Sequence, residues 1–174
     1  MSGIRAVAGS GTQLEFNREG DFSEFKDGDG NQLMADVGIV VLAEEPYAEG
    51  MGDRLDISLS DFEIELIKKV GEQSKSVVVI LLSGRPRVIT DGLPLAEAWV
   101  AAWLPGTEGA GIADVLFGDH PFTGRSPYSW PRSLDQLPIN VNNSVDKTGC
   151  DAPLFPFGYG LSYGESAPDM LECE

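Results

Sequence analysis

The chain has 174 residues, and its 12 basic and 28 acidic side chains give a formal net charge of −16. Apolar residues make up 42% of the sequence, which suits one ordinary folded domain and argues against a disordered chain. No apolar run approaches the ~18 residues that a membrane-spanning helix needs. The negative field repels phosphate backbones and anionic lipid, so we expect no nucleic-acid and no membrane partner, whereas a neutral ligand carries no such penalty.

Metal and thiol chemistry have little support in the sequence. Cys150 and Cys173 are too far apart for a CxxC site, and His120 is the single histidine. We therefore expect no metal and no cofactor, and any catalysis must depend mainly on carboxylates. Residues 1–5 lack the pattern of a signal peptide, so the signal of a periplasmic or secreted parent protein would lie outside this chain.

The first half of the chain predicts a loop, a strand and a helix. Residues 9–36 are polar and acidic and predict mainly loop, with at most a short helix over 21–25. The unbroken apolar run at 38–43 predicts a strand buried on both faces, as in parallel sheets. Ser60-Asp61-Phe62-Glu63 matches a capping box, a motif that starts helices. Together with apolar residues at helical spacing, it predicts a helix over 60–71 packed on one face of the sheet. These apolar residues are Leu59, Phe62, Leu66, Ile67 and Val70.

The second half predicts two more strands and a helix. Apolar runs at 76–82 and 98–104 predict two more strands buried on both faces in the same mainly parallel sheet, and residues 107–117 predict a short helix closed by Gly118. This order indicates an α/β fold, in which ligands usually bind at the carboxyl ends of the strands. From residue 119 onward, prolines and spaced aromatics predict an extended tail that wraps over the core.

The densest group of polar side chains is the segment 44–54, directly after the first strand. It holds four acids, one tyrosine, one arginine and two glycines: Glu44, Glu45, Glu49, Asp53, Tyr47, Arg54, Gly50 and Gly52. A carboxylate in such a loop can serve as a general acid or base, although composition alone favours a solvated acidic loop. A second acidic stretch, 27–31, resembles a calcium loop, but Gln32 stands where an EF-hand needs glycine, so a plain turn is predicted.

Several longer segments, in one order, are specific enough to suggest a family. They are Glu45–Gly50 with Gly52-Asp53, Leu82–Pro86, Ala101–Gly109, Val115–Asp119, Phe122–Arg125, Asp135–Pro138 and Pro153–Tyr163. Together they resemble the second, α/β-sandwich domain of glycoside hydrolase family 3, the β-glucosidases and exo-acting β-glucan glucohydrolases. The resemblance divides the chain into a loosely matching lead-in at 1–37, the domain itself at 38–163 and a frayed tail at 164–174.

The resemblance implies a three-layer α/β sandwich, truncated at its N-terminal side, and a retaining hydrolysis of β-glucosides or β-glucan oligosaccharides by two carboxylates. It implies that the nucleophilic aspartate lies on a separate N-terminal barrel, which this chain lacks, and that the acid/base glutamate aligns with Glu49. Tyr47, Asp53 and Arg54 are expected to support the loop or to bind substrate. We expect the isolated chain to be inactive unless the barrel is supplied in cis or in trans.

Two other functions fit the same architecture. One is a non-catalytic sugar-binding or accessory fragment of the same fold. The other is a flavodoxin-like redox or signalling module, which shares the layers but for which the sequence shows no cofactor fingerprint.

Overall fold

The computed structural model describes residues 2–168, with the backbone alone at Glu49. Within this part the chain forms two compact units. Unit 1 comprises residues 2–45, 59–84 and 91–113, and unit 2 comprises residues 46–58, 85–90 and 114–168. Among the described residues, no helix is both long enough and apolar enough to cross a membrane.

Unit 1 is built on a three-stranded parallel sheet. Its strands β1 (Gly38–Ala43), β2 (Val77–Leu82) and β3 (Ala98–Ala101) lie in the order β1-β2-β3. In the register, Gly38 lies opposite Val77 and Val78 lies opposite Ala98. The parallel sheet and the α/β class predicted from the apolar runs are therefore confirmed.

Helix α2 (Asp61–Gly71) covers one face of this sheet. Its capping box is present: the Glu63 N–H donates to the Ser60 hydroxyl, and the Ser60 N–H donates to the Glu63 carboxylate. The helix buries Ile67 and Val70 and contacts β1 and β2. Phe62 was expected on the same face but is 61% exposed. At roughly 100° per residue, it lies about 140° around the helix from Ile67.

Burial on both faces holds for the central strand only. In β2 the side chains of Val79, Ile80 and Leu81 are all buried, so both faces of this strand are covered. In β1 burial alternates instead, and Val41 is exposed. No residue of β3 is buried. The prediction of two-face burial was wrong for β1 and β3 because these are the outer strands, each with one neighbouring strand among the described residues.

Several elements differ from the sequence-based prediction, and the helix predicted over 107–117 begins at Gly109. An unpredicted helix, α1 (Ser2–Val7), opens the described chain, and residues 21–25 form a turn rather than a helix. Strand β3 ends at Ala101 rather than at residue 104, because Trp103 has a φ of 51°, outside the extended region. Helix α3 (Gly109–Phe117) ends as predicted before Gly118, whose φ of 90° favours glycine.

Unit 2 is largely irregular, in agreement with the prediction of an extended tail. Its segments 126–130 and 154–159 run alongside each other; Trp130 and Phe155 form an antiparallel bridge, with the Trp130 N–H donating to the Phe155 carbonyl at 2.8 Å. A one-turn helix, α4 (Val141–Ser144), lies between the two segments in the sequence. Residues 164–168 contain no helix or strand, and the rest of the expected frayed tail, 169–174, lies outside the described residues.

Candidate active site

The acidic segment singled out from the sequence forms a loop of unit 2, residues 46–58, with one short turn. This turn is a 3-10 helix over Glu49–Gly52, in which the Asp53 N–H donates to the Gly50 carbonyl at 3.2 Å. Two apolar side chains of the loop face solvent in this chain: Met51 is 90% exposed and Leu55 is 98% exposed. The side chain of Glu49 lies outside the described part of the structure.

Arg85, which follows Ser83 and Gly84 in the chain, contacts the loop just before this turn and at its last residue. The Arg85 guanidinium lies over the Tyr47 ring, 4.6 Å from its centroid, and its Nη1 donates to the Gly52 carbonyl at 2.7 Å. Gly52 in turn packs directly against the Tyr47 ring, so that a Cβ built at residue 52 would come within 2.7 Å of the tyrosine Cγ. Tyr47, Gly52 and Arg85 therefore form one cluster around the backbone of the turn, which we call the Arg85 clamp.

A second set of contacts holds the far end of the loop. Arg87 is buried, and its Nη2 donates to the Ser58 carbonyl at 2.6 Å. The Val88 N–H donates to the Ile57 carbonyl at 3.1 Å, which places residues 57–58 parallel to residue 88. The Trp130 indole donates to the Arg87 carbonyl at 2.6 Å. Residues 85–88 thus hold the loop at both ends and leave residues 53–56 exposed between them.

The acidic side chains near the loop have different surroundings. In unit 1, the Glu44 carboxylate accepts a hydrogen bond from the Ser83 hydroxyl at 2.5 Å, at the carboxyl ends of β1 and β2, while Glu45 is exposed. In unit 2, the hydrogen bond that the Ser58 N–H donates at 2.8 Å holds the pKa of the Asp56 carboxyl below its ordinary value. Asp53 is exposed.

Of the three residues predicted to support the loop or bind substrate, one joins the Arg85 clamp and the other two have exposed side chains. Tyr47 belongs to the Arg85 clamp, whereas Asp53 contributes its backbone N–H to the turn and Arg54 is exposed. Sequence reasoning missed Arg85 as a residue of the site. Its position in the Ser83–Arg87 loop, at the carboxyl end of β2, was the signal that could have pointed to it. Among the described residues, no group of three His, Cys, Asp or Glu side chains could hold a metal ion.

The sheet and its loops define a domain of the α/β class that carries an arginine-held acidic loop. The sequence profile described as "Glycosyl hydrolase family 3 C-terminal domain" matches residues 2–163. The chain therefore belongs to glycosyl hydrolase family 3, and the resemblance read from its motifs is confirmed.

Three similar proteins match most of this chain, and each match covers a small share of that protein's length. The lysosomal beta glucosidase of Dictyostelium discoideum is 37% identical over 141 residues, which are 80% of this chain and 17% of that protein. The exo-1,3/1,4-beta-glucanase of a Pseudoalteromonas species has a similar structure, with a TM-score of 0.67 and 37% identity over 80% of this chain and 18% of that one. A beta-glucosidase of Listeria innocua, solved in complex with glucose, has a TM-score of 0.65 and 29% identity over 75% of this chain and 21% of that one. The chain spans about a fifth of the length of these relatives.

Proposed function

We propose that the chain supplies the acid/base carboxyl, Glu49, of a retaining β-glucosidase or exo-β-glucanase. The nucleophilic carboxylate would come from a barrel domain outside this chain. The observation that carries the proposal is the family match over residues 2–163, which includes the loop with Glu49. The sugar substrate is inferred from the similar beta-glucosidases and glucanase.

The proposed reaction needs two carboxyl groups with different tasks. In a retaining hydrolase they lie ~5–5.5 Å apart: one attacks the anomeric carbon, and the other donates a proton to the leaving oxygen. In the second step the same residue, now a carboxylate, takes a proton from the water that releases the sugar. In our proposal Glu49 is the group that donates the proton in the first step and takes one in the second. Contact with another domain would raise its pKa by removing water and adding a neighbouring carboxylate.

The surroundings of the loop support Glu49 over its acidic neighbours. Residue 49 starts the turn whose end, Gly52, is held by Arg85. The Glu44 carboxylate is instead engaged by Ser83, and Glu45 precedes the held part of the loop. Tyr47 acts as a loop support in this proposal, whereas Asp53 and Arg54, which are exposed, are candidates for substrate contact.

The isolated chain should be inactive because it provides one of the two carboxyls. A displacement of ~1 Å in a reacting group already costs ~10²-fold in rate, and here the nucleophile would be missing altogether. In this proposal the exposed Met51 and Leu55 belong to the loop that would be covered when a second domain packs against it.

The test compares Glu49→Gln with Glu45→Gln in a protein in which the chain is joined to a family 3 barrel domain. Glu49→Gln should lower the hydrolysis of unactivated β-glucosides by about 10²–10⁴-fold, the usual contribution of general acid catalysis. It should affect the first step for activated phenolic glucosides much less, because their leaving groups depart without a proton. Equal losses for both variants and both substrates would contradict the assignment, and sugar binding without turnover in the joined wild-type protein would favour a non-catalytic domain.

A further inference from the structure

The Arg85 clamp touches the chain on both sides of Glu49. The guanidinium covers the ring of residue 47, two positions before Glu49, and bonds to the carbonyl of residue 52, three positions after it. We propose that Arg85 is a positioning residue that fixes the backbone of the turn carrying Glu49. This inference rests on the proposed function of Glu49.

The geometry requires the shape of the arginine side chain as well as its charge. The guanidinium uses its flat face against the Tyr47 ring and an N–H at its edge for the Gly52 carbonyl, so one planar group makes two contacts in different directions. A lysine ammonium is a compact point charge without such a face. Lysine at residue 85 is therefore expected to keep one of the two contacts at a time.

The arginine acts from a segment that is itself held in place. Two residues further on, the side chain of the buried Arg87 donates to the Ser58 carbonyl. The Arg87 carbonyl accepts a hydrogen bond from the Trp130 indole N–H. The next residue, Val88, donates to the Ile57 carbonyl. Because residues 87–88 fix the end of the loop and Arg85 fixes its turn, changing Arg85 should free the turn without freeing residues 57–58.

Residue-resolved amide hydrogen exchange of the isolated chain tests the clamp, because it reports local opening of each hydrogen bond. The reporter is the Asp53 N–H, bonded to Gly50 inside the turn, and the internal reference is the Val88 N–H, bonded to Ile57. With Arg85→Ala, exchange at Asp53 should accelerate by about tenfold or more, since a charged hydrogen bond and a cation–π contact are both lost. Exchange at Val88 should change less than about twofold if the opening is local.

Conservative variants separate positioning from general support of the fold. Tyr47→Phe keeps the ring and should leave Asp53 exchange near wild type. Tyr47→Leu removes the ring but leaves the Arg85–Gly52 hydrogen bond, so it should accelerate exchange less than Arg85→Ala does. Arg85→Lys should give an intermediate rate. Arg125→Ala, which removes an exposed arginine of the same unit that bonds to its neighbour Gly124, is the matched control and should have no effect. Equal acceleration at Asp53 and Val88, or none at Asp53, would overturn the proposal.

Kinetics in the protein joined to a barrel domain give the functional readout. Arg85→Lys should lower kcat for an unactivated β-glucoside by about tenfold to a hundredfold while KM stays within about twofold, because misplacing the acid affects the transition state more than binding. If the joined wild-type protein shows no turnover, the proposed function fails while the exchange data still decide the clamp. If turnover is present and Arg85→Lys raises KM alone, Arg85 binds substrate and the positioning role is wrong.

Discussion

Gly50 and Gly52 lie in the same turn but have opposite surroundings. A Cβ on Gly50 would meet its nearest neighbour, the Asp53 Oδ2, at 3.9 Å, whereas a Cβ on Gly52 would overlap the Tyr47 ring. The close approach at Gly52 lets the backbone touch the Tyr47 ring while the Gly52 carbonyl accepts a hydrogen bond from Arg85. Glycine at residue 52 is therefore needed for packing, and glycine at residue 50 is not needed for that reason.

Gly52→Ala should consequently destabilise the loop, with Gly50→Ala as the matched control. Overpacking of this kind costs ~1–3 kcal/mol. Because the Tyr47 ring would have to move away from residue 52, we expect faster exchange of the Asp53 amide in addition to the lower unfolding free energy in urea. Gly50→Ala should stay within about 0.5 kcal/mol of wild type, as surface substitutions usually do. Equal effects of the two substitutions would show that the ring does not pack on Gly52.

At this scale the sequence predicted which residues share the loop better than it predicted their contacts. The acids, the tyrosine and the two glycines of residues 44–54 were visible as a cluster because they are neighbours in the chain. Arg85 was not predicted to join them, since its contacts to Tyr47 and Gly52 depend on how two distant segments meet. The contact between Gly52 and the Tyr47 ring lies within one loop, but it depends on the backbone conformation of the turn, which the sequence pattern does not show.

At the scale of elements, local signals were the most reliable. The capping box at Ser60 and Glu63 depends on backbone geometry within four residues, and both of its hydrogen bonds are present. The three apolar runs likewise gave the strands of the sheet. Burial of the outer strands was overestimated, because a continuous apolar run cannot show whether a strand has a neighbour on each side.

The capping box makes a prediction for the stability of helix α2. Ser60→Ala should lower the free energy of unfolding in urea by ~0.5–2 kcal/mol, because the Glu63 N–H loses its acceptor at the start of the helix. Ser133 is the matched control: it precedes the short 3-10 turn Leu134–Gln136, and its side chain makes no capping hydrogen bond. Ser133→Ala should therefore change stability much less, and equal losses for the two variants would contradict a capping role of Ser60.

At the scale of the whole molecule, two facts matter: the family to which the chain belongs and its length relative to similar enzymes. The chain belongs to the family as its C-terminal domain, yet it spans about a fifth of the length of similar enzymes. The fold could be predicted because the sheet and helices are encoded within this chain. The complete active site could not, because in our proposal the nucleophile comes from a barrel domain outside this chain.

The hydrolysis of an aryl β-glucoside, with and without azide, tests the central claim most directly. We expect no turnover by the chain alone and turnover when it is joined to a family 3 barrel domain. The joined Glu49→Gln variant should show a strong loss of steady-state turnover, because its second step lacks a general base. Azide attacks the glycosyl-enzyme without needing a general base, so it should accelerate that variant and give the β-glucosyl azide, with retention of configuration. Turnover by the chain alone that Glu49→Gln abolishes would contradict the two-domain account, and a joined Glu49→Gln variant that is as active as wild type would contradict the role of Glu49.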